Sequence, residues 1–152
     1  MLSIRPVTAA DVPAVVALIT RTLAEFNLQF GVGTPTDDPI RSLPSSYTDA
    51  GGAFWVAASD HIVGTCGLYP VDPGIYELRK MYLDPAARGT GIAVRLLDTA
   101  VDFARAQGAT AIVLDTLDSM TRAIAFYEAH GFTRDDTQIR GTRCSRGYIR
   151  RL

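Results

Sequence analysis

The 152-residue sequence predicts an α/β (α+β) fold in which a mixed central sheet of six to seven strands is flanked by about four helices. Three observations predict it. Short β-rich runs alternate with helical segments in one continuous pattern, with no internal repeat and no low-complexity tract. Two of those runs, 53–59 and 62–71, are separated by a tight turn at Asp60-His61 and read as a hairpin. A composition of 47% hydrophobic and 20% charged residues suits a packed core and excludes a disordered or fibrous chain.

Residues 2–7 predict the first strand. Thr8 and Asp11 have the spacing of a helix N-cap with an acidic partner, and Val12, Val15, Val16, Ile19, Leu23 and Phe26 follow at helical spacing. Three prolines and two glycines in residues 31–45 stop that helix and predict a long loop. After the hairpin, a strand over 75–83 ends at Asp84-Pro85. Arg88-Gly89-Thr90-Gly91 then opens a helix whose apolar positions run from Ile92 to Ala104, with Gly108 as its C-cap. A short strand at 112–115, a helix over 119–130 closed by Gly131, and weaker strands at 132–138 and 143–150 complete the chain.

Charge and cysteine usage exclude several function classes. The formal charge of −1 argues against a nucleic-acid or acidic-membrane binder acting through its overall field. The charge is uneven, since residues 131–152 carry six arginines and two aspartates. Strand spacing divides those arginines between both faces, and no aromatic series accompanies them, so no nucleic-acid partner is expected. Cys66 and Cys144 make no metal-ligand spacing and read as inert thiols; no metal is expected. No apolar run reaches the roughly 18 residues of a membrane span, so the expected location is the cytoplasm, with no membrane partner.

The segment from Glu77 to Ala93 carries the chemistry. A strand leads into a glycine-bearing turn, and the turn opens a helix whose first unpaired N–H groups can hold phosphate oxygens. Arg88 adds a guanidinium able to make two hydrogen bonds to a phosphate. The P-loop is excluded because no lysine follows Gly91, and the dinucleotide fingerprint because a third glycine is missing. What remains, Arg88-Gly89-Thr90-Gly91-Ile92-Ala93, resembles the cofactor motif of the GNAT superfamily of N-acetyltransferases. The resemblance recurs in residues 123–132, with Tyr127, His130, Gly131 and Phe132, and covers about residues 53–133.

The resemblance implies one acetyltransferase domain over residues 1–152 that moves the acetyl group of acetyl-CoA to a primary amine of a small molecule or peptide. Transfer would be direct, within a ternary complex. The backbone of Met81, Tyr82 and Leu83 would pair with the pantetheine arm, and the amides of Arg88, Gly89, Thr90, Gly91, Ile92 and Ala93 would hold the pyrophosphate. Tyr127 matches the family's acid and Glu77 a common position of its base. Met120 departs from the family pattern, standing where many members have a cofactor-contacting asparagine. The competing reading is a non-catalytic acyl-CoA-binding regulatory module, which has no need of a proton donor at Tyr127. The protein would be a monomer or a homodimer.

For the acceptor, Asp37, Asp38 and Glu25 suit a cation, whereas the C-terminal arginines suit a carboxylate; the sequence leaves both open. His61 reads as a turn residue, His130 as a helix-end residue interacting with the dipole, and Trp55 as core.

Overall fold

In the computed structural model, which describes residues 1–152, side-chain alternation along β2 (Ala53–Ala58) divides the molecule into two cores. Phe54, Val56 and Ala58 pack beneath α1 (Val12–Ala24), whereas Trp55 and Ala57 join the core under α3 (Ile92–Ala106) and α4 (Thr121–Ala129). Helices therefore cover both faces of one sheet. The other strands are β1 (Ser3–Pro6), β3 (Ile62–Asp72), β4 (Ile75–Leu83), β5 (Ala111–Thr116), β6 (Thr133–Arg134) and β7 (Arg146–Arg151). Their order is β1-β2-β3-β4-β5-β7-β6, and β4–β5 is the parallel pair in an otherwise antiparallel sheet. No helix is long and apolar enough to cross a membrane.

Two irregularities of β4 create the site. Its pairing with β5 runs only from Ile75↔Ala111 to Glu77↔Val113 and then stops. Beyond Glu77, β4 stays with β3 and β5 stays with β7, so the sheet splits. Between the pairs Thr65↔Tyr82 and Gly67↔Arg79, β4 has two residues opposite one of β3, which is a β-bulge. Lys80 takes the left-handed conformation there at φ 54°, which costs a non-glycine residue roughly 1–2 kcal/mol. The buried Thr65 hydroxyl donates to the Lys80 carbonyl at 2.6 Å and helps fix the bend.

The bulge corrects the simple alternation of β4, which puts Glu77, Arg79 and Met81 on one face and Leu78, Lys80 and Tyr82 on the other. Leu78, Met81 and Leu83 instead face the α3/α4 core, and Tyr82 packs against the α1 core. Arg79 lies over the ring of Tyr69, another residue packed on the α1 core.

Three other segments differ from the sequence prediction. The turn after Thr8 is 3-10 over Ala9–Asp11 before α1 begins, because Asp11 accepts from the Thr8 amide at 2.8 Å and also pairs with Arg5. The long loop contains a 3-10 turn, Asp38–Ser42, and leads into a four-residue helix α2 (Ser45–Thr48). The weak strand at 132–138 shrinks to β6, because the Asp135 carboxylate caps a 3-10 turn over Asp136–Gln138 through the Thr137 amide.

Candidate active site

A cavity of about 560 Å³ occupies the split. Its walls come from the end of α1 and the turn after it on one face of the sheet (Thr22, Glu25, Phe26) and from α4 on the other (Ala123, Phe126, Tyr127), with β4 and β5 between. The cavity thus passes through the sheet where β4 and β5 part, and two molecules entering from opposite faces can meet in it.

On the α3 side, the turn Arg88–Gly91 enters α3 with Gly89 at φ 75° and Gly91 at φ 85°. No protein acceptor meets the N–H groups from Gly89 to Val94, a run of orphan donors at the positive end of a 15-residue helix. A Cβ added at Gly89 or Gly91 would meet nothing within 4 Å, so the space over the turn is open to a ligand. These are the features that an acyl-CoA pyrophosphate requires, and the residues fit it. Arg88, Gly89 and Ala93 line the cavity. The Thr90 hydroxyl donates to the Ala87 carbonyl and holds the turn closed, while the Ile92 side chain is buried in the core.

The guanidinium of Arg88 is already engaged by protein groups. It forms a two-pronged pair with Glu25 at 2.8 and 2.9 Å and donates to the Leu83 carbonyl at 3.2 Å. Its backbone, not its charge, belongs to the turn, and Glu25 is no longer a free anion for a cationic acceptor.

Met81, Tyr82 and Leu83 line the cavity along the stretch of β4 that has lost its β5 partner. That open edge has the hydrogen-bonding groups an extended amide-bearing chain can pair with. Tyr127 faces the same space from α4, wedged edge-on between Phe126 and Phe132 at centroid distances of 5.9 and 5.6 Å. Burial drives its phenol well above the ordinary range, helped by Tyr82 and Cys66, so it holds its proton. Met120 also lines the cavity, and its sulfur accepts from the Thr116 hydroxyl at 3.4 Å.

The α1 side is the charged side. Glu77 is 3% exposed; its Oε1 accepts from Arg79 Nε, while Oε2 has no hydrogen-bond partner. Asp37, read from the sequence as a loop carboxylate that could attract a cation, is fully buried. It accepts from Lys80 Nζ, from the Gly31 amide at 2.7 Å and from both terminal nitrogens of Arg143 at 3.4 Å. Burial alone would raise its pKa, but these partners reverse the effect and hold the carboxyl below its usual range. Asp38 stays exposed.

Asp37 therefore ties the 31–45 loop to the bulge and to the C-terminal loop. That loop is fixed from β5 as well, because Asp115 Oδ2 accepts from the amides of Arg140 and Gly141, both at 2.7 Å. Lys80 and Arg143 escape any local sequence motif, because their partner lies 43 and 106 residues away. The available signal for Lys80 is compositional, since it is the chain's single lysine.

The remaining candidates are structural. His61 is exposed in its hairpin turn, His130 stacks on Phe126 with Nδ1 2.7 Å from that residue's carbonyl, and Trp55 packs on Phe103. Burial pushes both cysteine thiols up to about 12, with Asp115 adding to the effect at Cys144. No group of three or more His, Cys, Asp and Glu side chains is placed to hold a metal ion.

Residues 19–132 match the model of the acetyltransferase (GNAT) family. An uncharacterized N-acetyltransferase of Escherichia coli K12, YjgM, is 36% identical over 137 residues, covering 87% of this chain and 82% of that protein. Human N-acetyltransferase 8B is 40% identical over 102 residues, covering 62% of this chain; the match spans 45% of that longer protein. The crystal structure of a GNAT-family acetyltransferase from Staphylococcus aureus Mu50 superposes with a TM-score of 0.90 at 26% identity, over 100% of this chain and 99% of that one.

Proposed function

The chain belongs to the GNAT family of acetyltransferases, and from that premise we propose that it moves the acetyl group of acetyl-CoA directly to a primary amine, with both substrates bound at once. The observation that carries this is the cavity running through the split sheet, with an orphan-amide turn and a protonated phenol on one side and an unpartnered carboxylate oxygen on the other. Residues 1–152 act as one domain in this scheme, since a single sheet supports both cores.

The division of labour follows from the chain's own groups. Acetyl-CoA supplies an activated acyl carbon and a thiolate leaving group. The amides from Gly89 to Val94 hold the pyrophosphate, and the free edge at Met81, Tyr82 and Leu83 aligns the pantetheine arm. The amine nitrogen forms its bond to the acyl carbon as the C–S bond breaks. Glu77 Oε2 takes the nitrogen's proton, directly or through a water, and Tyr127 gives its phenolic proton to the departing sulfur. A phenol kept protonated by burial has little use in a module that only binds acyl-CoA.

Thiol release from acetyl-CoA in the presence of a panel of amines tests the proposal. Release that depends on the amine supports it, and acetyl-CoA binding with no release from any amine contradicts it. Glu77→Gln should lower kcat/KM about 10²- to 10⁴-fold at neutral pH, the usual range for loss of a general base. The deficit should shrink as pH rises, because the amine then loses its proton to solvent without help. A deficit constant with pH would assign Glu77 to packing.

A further inference from the structure

The acetyltransferase assignment leaves the acceptor's class open, and the ion pairs on the α1 side of the split bear on it. Every fully buried carboxylate oxygen of that inner wall is accounted for except one. Asp37 is closed in by Lys80, Arg143 and the Gly31 amide, Asp115 Oδ2 by two amides, and Glu77 Oε1 by Arg79. What remains is Glu77 Oε2.

The cations divide in the same way. Lys80 and Arg143 meet Asp37, and Arg79 meets Glu77. Arg140 is left over on this side; Arg122, the cavity's other guanidinium without a carboxylate partner, belongs to α4. The Arg140 guanidinium reaches carboxylates only at 3.7 Å (Asp72, at the exposed rim) and 3.9 Å (Glu77 Oε2). Its hydrogen bonds, both from Nη1, go to the backbone and side-chain oxygens of Gln138 at 3.2 and 3.3 Å. Nε and Nη2 have no hydrogen-bond acceptor, the side chain is one-third exposed, and it lines the cavity. A free fork of a guanidinium beside a free carboxylate oxygen is the complement of a group that carries an amine and a carboxylate close together.

Resting on the acetyltransferase assignment, we propose that the acceptor is an α-amino acid type of amine, whose carboxylate binds the Arg140 guanidinium while its nitrogen lies toward Glu77 Oε2. A polyamine or other purely cationic acceptor finds the opposite environment. Of the anions that the sequence offered it, Asp37 and Glu25 are already neutralised by Lys80, Arg143 and Arg88, and Asp38 is exposed and does not line the cavity. An acceptor without a carboxylate leaves Arg140 without a close anionic partner, and a site built around such a pair discriminates against an analogue lacking it.

The test uses the full chain and matched trios: an α-amino acid, its carboxamide and its decarboxylated amine, with apolar, aromatic and acidic side chains represented. Calorimetric binding of acetyl-CoA is measured first, and failure there strikes the acetyltransferase assignment itself. With binding established, at least one amino acid should show kcat/KM ten or more times that of its carboxamide and of its decarboxylated amine. The carboxamide comparison is stringent, because its amine is the less basic and so the more often unprotonated at neutral pH.

Arg140→Ala should remove that preference, raising KM for the amino acid ten-fold or more and at least five times as much as KM for the carboxamide. Arg140→Lys should restore part of it. The fold should tolerate these changes, because it is the Arg140 amide, not the side chain, that bonds Asp115. Equal or better use of the carboxamides or the decarboxylated amines, an equal effect of Arg140→Ala on all three acceptors, or no turnover of any trio with acetyl-CoA bound would overturn the proposal.

Discussion

Gly91→Glu should weaken acetyl-CoA binding by about 100-fold or more, measured by calorimetry. Gly91 stands at φ 85° at the head of α3, with open space where a Cβ would lie. A glutamate there sets a negative charge beside the N–H groups of the following turn, where the pyrophosphate needs them. Each charge-assisted hydrogen bond lost from such a cradle is worth about 1.5–3 kcal/mol, so losing two suffices for the effect. The left-handed conformation also strains any side chain by roughly 1–2 kcal/mol. Gly91→Ala carries that strain without the charge, and should lower the melting temperature while retaining most of the affinity. A folded Gly91→Glu protein that binds acetyl-CoA like the wild type would move the phosphate site elsewhere.

Tyr127→Phe should reduce kcat by about 10²- to 10⁴-fold, the range for loss of a general acid, with acetyl-CoA affinity within about two-fold of the wild type. The separation of the two effects follows from the packing. The ring is held by Phe126 and Phe132, contacts that phenylalanine keeps. No hydrogen bond within the protein contributes to the phenol's raised pKa, so removing the hydroxyl leaves no buried partner unsatisfied. The thiolate then has to take its proton from water. The pH dependence has a definite sign: burial keeps the acid form in place throughout the neutral range, so wild-type kcat should not fall between pH 7 and 9 from loss of this proton. An unchanged kcat in Tyr127→Phe would assign the residue to the core alone.

The parts of the fold legible in the sequence are those whose signal is local. β4 spans Ile75–Leu83 as read, because β-rich residues run up to Asp84-Pro85 and proline cannot continue a central strand. The glycine turn before α3 is legible for the same reason, since only glycine enters a left-handed conformation without strain. The charged wall opposite was hidden. Asp37 in a proline-rich loop resembles any solvated carboxylate, and its burial depends on Lys80 and Arg143 arriving from distant segments. The bulge that turns Lys80 toward Asp37 has no turn residue to announce it, and without it the strand's alternation assigns Met81 and Tyr82 to the wrong faces. The asymmetry of the C-terminal arginines was visible as composition, but only tertiary pairing separates Arg140, left without a close carboxylate, from Arg143 and Arg146, which have Asp37 and Asp118.

The proposed meeting of donor and acceptor in the cavity of the split sheet makes one kinetic demand, that both be present before chemistry begins. Initial rates of thiol release, with acetyl-CoA and an accepted amine each varied against the other, measure this directly. Double-reciprocal lines that intersect are the predicted result. Parallel lines, together with isolation of an acetylated form of the enzyme after incubation with acetyl-CoA alone, would contradict direct transfer.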